Sequence, residues 1–228
     1  GQRNSGATIN ISLTDCDGNA VVTPNVQRVY ISGAKGENNI TLTGCDFQTK
    51  ATAVYSNADG AVTISDCSFT GGQVPVNFNH KANGAQKVTV SNSTFTGCGD
   101  ADGWKQFAAP IRFVNSGTGT MNTEVDTCTI TGTVGANGDI LLGDGRTGQA
   151  SKDVSLKVTN TAANVQAQKP GYYTSTGVDA TKKGEKAVTK EQTLETSVTE
   201  LTTSTELTNY VAQIGDDKYA TLEAAITA

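Results

Sequence analysis

Residues 62–72 read VTISDCSFTGG, and two neighbouring stretches nearly repeat them: ITLTGCDFQTK at 40–50 and VTVSNSTFTGC at 88–98. In the first half of each phrase apolar and polar residues alternate with the period of a β-strand. Ile40 and Leu42 face one way, Thr41 and Thr43 the other. The phase then slips by one residue at Gly44, after which Cys45 and Phe47 resume the apolar side. In a straight strand such a slip would turn every later side chain outward. The chain must therefore bend at Thr43–Gly44, and the phrase reads as two short strands joined at a corner.

The opening half recurs along the chain: ISLTDC from Ile11, ITLTGC from Ile40, VTISDC from Val62, VTVSNS from Val88, TEVDTC from Thr123 and VSLKVT from Val154. The steps are 29, 22, 26, 35 and 31 residues. A constant phrase with a variable gap marks a strand repeat that carries loop insertions. A second phrase follows in the units: VYISG from Val29, AVYSN from Ala53, VNFN from Val76, IRFVN from Ile111 and ILLGD from Ile140. Each ends in Gly, Asn or Asp, the residues of tight turns and left-handed backbone.

Strand, corner, strand, turn, stacked repeatedly, resembles the right-handed parallel β-helix, the pectate-lyase-like solenoid of about 22 residues per coil. The expectation is an all-β chain with about six coils over residues 8–165. At roughly 4.8 Å per coil these make a rod about 29 Å long.

Composition narrows the function classes. Apolar residues are 36% of the 228 and charged residues 17%, with Thr, Asn and Ser filling the surface. A net charge of −5 repels phosphate backbones, so nucleic acid is not an expected partner. No apolar run approaches the roughly 20 residues that span a bilayer, so membrane insertion is not expected. The opening GQRNSG reads as a trimmed start, and the lack of a leader there says nothing about export.

Cys16, Cys45, Cys67 and Cys128 occupy one position of the phrase, where Ser93 and Thr159 stand in the other units. The reading is a ladder of small inward residues, with buried free thiols preferred over disulfides or metal. Stacked coils bring Cα atoms to about 4.8 Å, the short end of the disulfide range. His80, the one histidine, reads as a turn residue and Cys98 as a loop residue outside the ladder. There is no CxxC pair and no zinc pattern.

Two groups are candidates for chemistry. The insertion GCGDADGWKQFAAP, residues 97–110, carries Asp100, Asp102, Trp104 and Lys105, an aromatic beside carboxylates that suits sugar stacking. Its DADG also resembles half of a calcium loop, so Ca²⁺ is the candidate ion and no other cofactor is expected. The alternative is that Trp104 and Phe107 fold back to cover the coil. In the fifth unit Glu124 and Asp126 replace outward hydroxyls, and the phrase alignment sets Lys157 beside Asp126. Polysaccharide lyases with this fold use acidic calcium ligands and a base, and the resemblance offers these three as catalytic candidates. The alternative is a cross-strand ion pair. The outward Thr and Ser of the earlier units resemble the TxT face of ice-binding β-helices, but the array ends at Glu124. Asn10, Asn39 and Asn92 begin N-x-S/T sequons.

The repeat fades near Val165, and residues 166–211 read as a Thr/Lys/Glu-rich tail or linker. Within it Leu194, Val198 and Leu201 stand at helical spacing behind a Thr189–Gln192 capping box. The closing YVAQIGDDKYATLEAAITA resembles a hairpin-plus-helix unit of large gut-bacterial surface proteins, where it starts a new β-helix. Residues 212–228 are therefore expected to form a hairpin and a short helix, either a cap or the start of a further domain.

The resemblances imply a secreted or cell-surface bacterial module that binds host or dietary glycans, acts as an adhesin, or spaces other domains. The alternative is a polysaccharide lyase or glycoside hydrolase, so catalysis stays open. Unpaired strand edges at the rod's ends make end-to-end self-association a further expectation.

Overall fold

The computed structural model describes residues 8–19, 29–31, 36–100, 108–135, 137–142, 154–168, 173–174, 177–178, 188–194, 199–202, 212–214, 217–219 and 226. The strands follow the phrase in threes. The first turn holds β1 (Ile9–Thr14), β2 (Asp17–Asn19) and β3 (Val29–Ile31), and the second β4 (Asn38–Thr43), β5 (Asp46–Gln48) and β6 (Val54–Ser56). Next come β7 (Gly60–Ser65), β8 (Ser68–Thr70) and β9 (Val76–His80), then β10 (Ala85–Ser91), β11 (Thr94–Thr96) and β12 (Ile111–Asn115). They are followed by β13 (Thr120–Asp126), β14 (Thr129–Thr131) and β15 (Ile140–Leu142), and by β16 (Val154–Thr159) and β17 (Ala163–Gln168).

Each member of a triplet joins a different sheet. The first sheet runs β1-β4-β7-β10-β13-β16, the second β2-β5-β8-β11-β14, and the third β3-β6-β9-β12-β15-β17, with every one of these pairings parallel. An all-β chain of three parallel sheets visited in rotation is compatible with a parallel β-helix.

The predicted corner exists, and its backbone shows how the phase slips. Asp15, Gly44, Asp66, Asn92, Thr127 and Asn160 stand in register at successive corners with φ of 50°, 63°, 55°, 47°, 50° and 47°. One left-handed residue turns the chain without flipping the apolar set. Asp, Asn and Gly tolerate that region, whereas the β-branched Thr127 pays strain for it.

The residue after the corner has a job that its size alone does not convey. Its side chain donates to the carbonyl two residues back: Cys45 Sγ to Thr43 O at 3.5 Å, Cys67 Sγ to Ser65 O at 3.2 Å, Ser93 Oγ to Ser91 O at 2.7 Å and Cys128 Sγ to Asp126 O at 3.4 Å. It also accepts the backbone N–H of the preceding coil: Cys45 N–H to Cys67 Sγ at 3.4 Å, Cys67 N–H to Ser93 Oγ at 3.2 Å and Cys128 N–H to Thr161 Oγ1 at 3.0 Å. A small group that both donates and accepts is required, which Cys, Ser and Thr supply.

The last rung corrects the sequence alignment. Thr161, not Thr159, fills the ladder, and Leu156 rather than Val154 is the partner of Thr123. The sixth phrase is therefore LKVTNT from Leu156, two residues later than its resemblance to the others had placed it. All five cysteines are free. Cys98 lies between strands as expected, but it is buried in the core cluster.

The core fills the space between the sheets. Ile40, Leu42, Val62, Ile64, Val88, Val90, Val125, Leu156 and Val158 come from the first sheet, and Phe78, Ile111, Phe113 and Ile140 from the third. The second sheet contributes a stack of rings, Phe47 on Phe69 at 5.2 Å and Phe69 on Phe95 at 4.8 Å, tilted by only 9° and 8°. Parallel in-register pairing enforces this, because like residues lie directly above one another.

The tail departs from expectation. β18 (Tyr173–Thr174) and β19 (Gly177–Val178) pair with each other, and β20 (Val188–Leu194) and β21 (Thr199–Thr202) are strands where helical spacing pointed to a helix. β20 pairs antiparallel with β17 and β21 antiparallel with β16, so the tail completes two of the sheets. The unpaired edges left by β16 and β17 are stronger local partners than a lone Thr-rich helix would find. β22 (Ala212–Ile214) and β23 (Asp217–Tyr219) form the expected hairpin. Of the stretch predicted to be helical after it, Ile226 is described, helical and exposed.

Candidate functional site

The outward face of the first sheet carries rows of polar side chains fixed by the parallel register. One row runs Ser12, Thr41, Thr63, Thr89, Glu124, Lys157. The next runs Thr14, Thr43, Ser65, Ser91, Asp126, Thr159. Lys157 thus stands opposite Glu124, not Asp126, a consequence of the two-residue shift in the sixth phrase.

Its Nζ lies 3.2 Å from Glu124 Oε1, with the side chains 47% and 35% exposed. An ion pair this open contributes roughly 0.2–1 kcal/mol. Asp126 faces the same way one row over and accepts a hydrogen bond from Asn160 Nδ2 at 3.2 Å.

Beside the pair, a third row brings Lys87, Asn122 and Ser155 together. With Val88, Thr123, Glu124 and Lys157 they line an open depression of about 230 Å³. Two ammonium groups, a carboxylate, an amide and a hydroxyl converge there. Sequence reasoning named Glu124 and Lys157 but missed Lys87, Asn122 and Ser155. Period 2 within a strand marks each of them as outward, but only the inter-strand register shows that they are neighbours.

The insertion is anchored at both roots. Gly99 and Asp100 N–H donate to Gly72 O at 2.8 and 3.1 Å, and Ala109 N–H donates to Gln73 O at 3.0 Å. Asn137 Nδ2 donates to Ala108 O at 3.0 Å from the following turn. Asp100 is exposed at the first root. Asp102, Trp104 and Lys105 lie outside the described residues, as does Phe107, so the calcium half-loop and the stacking reading stand as sequence expectations. Among the described residues no three His, Cys, Asp or Glu side chains group as a metal site.

The other faces differ. The third sheet is buried on both sides through β9, β12 and β15, with Asn77, Arg112, Val114 and Leu141 covered. The second sheet presents a strip that the phrase alignment overlooks, Ser68/Thr70, Thr94/Thr96 and Thr129/Thr131 in register.

His80 is in strand β9 rather than a turn. It is fully buried, with Nε2 2.8 Å from Asp59 Oδ1 and Nδ1 3.2 Å from Asn115 Oδ1. Both Asp59 oxygens also accept Gly84 N–H at 3.1 Å, so the group ties loops of successive turns together.

Burial pushes the thiols of Cys67 and Cys128 up to about 11 and that of Cys98 to about 12. Such thiols are poor nucleophiles at neutral pH. Comparison with family models, curated proteins and solved structures returns no match.

Proposed function

We propose that the chain is a right-handed parallel β-helix module of a secreted bacterial surface protein, a non-catalytic one that holds glycan chains or spaces neighbouring domains. The observation that carries the reading is the depression lined by Lys87, Asn122, Glu124, Ser155 and Lys157, on a face whose earlier turns present Thr, Ser, Asn and Ala. Amide, carboxylate, ammonium and hydroxyl groups fixed on adjacent strands offer both donors and acceptors to a polyhydroxylated chain. The strands supply the rigidity, so little ordering of the site is needed on binding.

A glycan array followed by calorimetry on its hits tests this. Binding that falls at least roughly tenfold in Asn122→Ala, but survives in Trp104→Ala, supports the sheet face. The reverse pattern moves the ligand to the 97–110 insertion. An array without hits removes the glycan reading and leaves the spacer.

The Glu124–Lys157 pair favours a second reading, a lyase or hydrolase acting on such a polymer. A proton-abstracting lysine works as the free amine, whereas here the ammonium is an ion-pair partner of Glu124. Turnover of an array hit that disappears in Lys157→Ala would establish the catalytic reading over the binding one.

A further inference from the structure

The cysteine ladder is graded in access. Cys45, Cys67, Cys98 and Cys128 are buried, while Cys16, in the first turn, is only partly covered and packs against the core from its margin. Cys16 and Cys45 hold the same corner position in adjacent parallel strands. Thr14 pairs with Thr43 before them and Asp17 with Asp46 after them, and Asp46 N–H donates to Cys16 O at 2.8 Å. Strands so paired are about 4.7–4.9 Å apart, within the roughly 4.4–6.8 Å that a disulfide spans between Cα atoms. The Cys45 sulfur also points toward the first turn, lying 3.7 Å from Leu13 O.

We infer that Cys16 and Cys45 form a two-cysteine site for small-molecule disulfides. Cys16 takes up the reagent and Cys45 resolves it into a bond across the first two turns. The Cys16 thiolate attacks one sulfur of the small disulfide, forming a mixed disulfide and expelling one thiolate. Cys45, giving its proton to that leaving group, then attacks the Cys16 sulfur and expels the second. One S–S bond is broken in the reagent and one made in the protein. The two cysteines lose two electrons and two protons, and the reagent leaves as two thiols. Cys67 stays out of the exchange because it lies one turn beyond Cys45 and is not a strand neighbour of Cys16. The inference is independent of the glycan reading.

The test incubates the full chain with excess oxidised glutathione and maps the thiols by peptide mass spectrometry over time. In the native chain Cys16 reacts roughly tenfold or more faster than any other thiol. Two of the five thiols then disappear into a Cys16–Cys45 cross-link. In Cys45→Ser the glutathione adduct accumulates on Cys16. In Cys16→Ser the remaining thiols stay unmodified over the same time. Serine suits these positions, since Ser93 fills the same rung fully buried, and Cys45→Thr, with Thr161 as precedent, is the alternative if Cys45→Ser melts early. An unreactive Cys16, an adduct that persists in the native chain, or a Cys45–Cys67 cross-link each overturns the inference.

Discussion

Replacing Phe69 by alanine probes the packing that stacked coils impose. Phe69 is 1% exposed and lies between Phe47 and Phe95, with ring centroids 5.2 and 4.8 Å away and planes nearly parallel. Truncating a core phenylalanine costs about 3–5 kcal/mol through lost transfer energy and the cavity left behind. Each aromatic neighbour adds about 0.5–1.5 kcal/mol beyond area. With two such neighbours, and a parallel backbone on both sides that resists collapse into the hole, Phe69→Ala belongs at the top of that range, about 4–5 kcal/mol. Phe47 stacks on Phe69 and has Gly18 opposite it on the other side, so Phe47→Ala should cost about 3 kcal/mol. Phe69→Leu keeps most of the volume and should cost about 1–2 kcal/mol. Chemical denaturation followed by far-ultraviolet circular dichroism measures all three, provided the m value holds. Equal losses for Phe69→Ala and Phe47→Ala, or a loss below about 2 kcal/mol for Phe69→Ala, would refute the claim that the ladder behaves as a rigid stack.

Three further outcomes follow from the corners and the thiols. Gly44 stands at a φ of +63°, where a Cβ is strained and would also push aside the Asp15 carboxylate, so Gly44→Ala should lose about 1–2 kcal/mol in the same assay. Thr127→Gly, which relieves a β-branched residue at φ 50°, should gain up to about 1 kcal/mol after glycine's extra freedom when unfolded is subtracted. Cys67 and Cys128 rise from 9.0 to about 11 on folding, so the folded state holds protons that the unfolded state releases in alkali. Their contribution is complete below about pH 9 and is lost as pH climbs toward 11. The denaturation midpoint should therefore fall between those values, and fall less in Cys128→Ser.

The sequence disclosed what repetition amplifies. Alternation at Ile40–Thr43 and the slip at Gly44 recur often enough to define strands, corners and their parallel stacking. The sixth phrase misled because its ladder residue is Thr161 rather than a cysteine, and because VSLKVT from Val154 alternates as the true phrase from Leu156 does. The error moved Lys157 from Glu124 to Asp126, since a shift of two residues preserves the face but changes the neighbour. β20 and β21 escaped notice because their pairing depends on open edges distant in sequence, which local spacing at Leu194, Val198 and Leu201 does not register. His80 looked like a turn residue beside Asn79, and its partners Asp59 and Asn115 come from other turns. The candidate site divides in the same way: outward orientation was readable for Glu124, Asp126 and Lys157, while the company of Lys87, Asn122 and Ser155 was not.

The three sides of the coil differ in how much length they allow. Between the first and second sheets the connection is two residues at each of the five corners from Asp15–Cys16 to Thr127–Cys128. Between the second and third sheets it ranges from five residues at 49–53 to 14 at 97–110, and on the return to the first sheet from three at 57–59 to 11 at 143–153. The left-handed residue and the donor–acceptor ladder make one edge behave like the spine of a book, where any added residue would throw two sheets out of phase. The opposite edges are the page margins, where connections of very different length close onto the same sheets. Such a scaffold can acquire a new surface by lengthening one margin while its stability stays invested in the spine. A peptide grafted between Asp100 and Ala108 would inherit anchors on both sides from Gly72, Gln73 and Asn137.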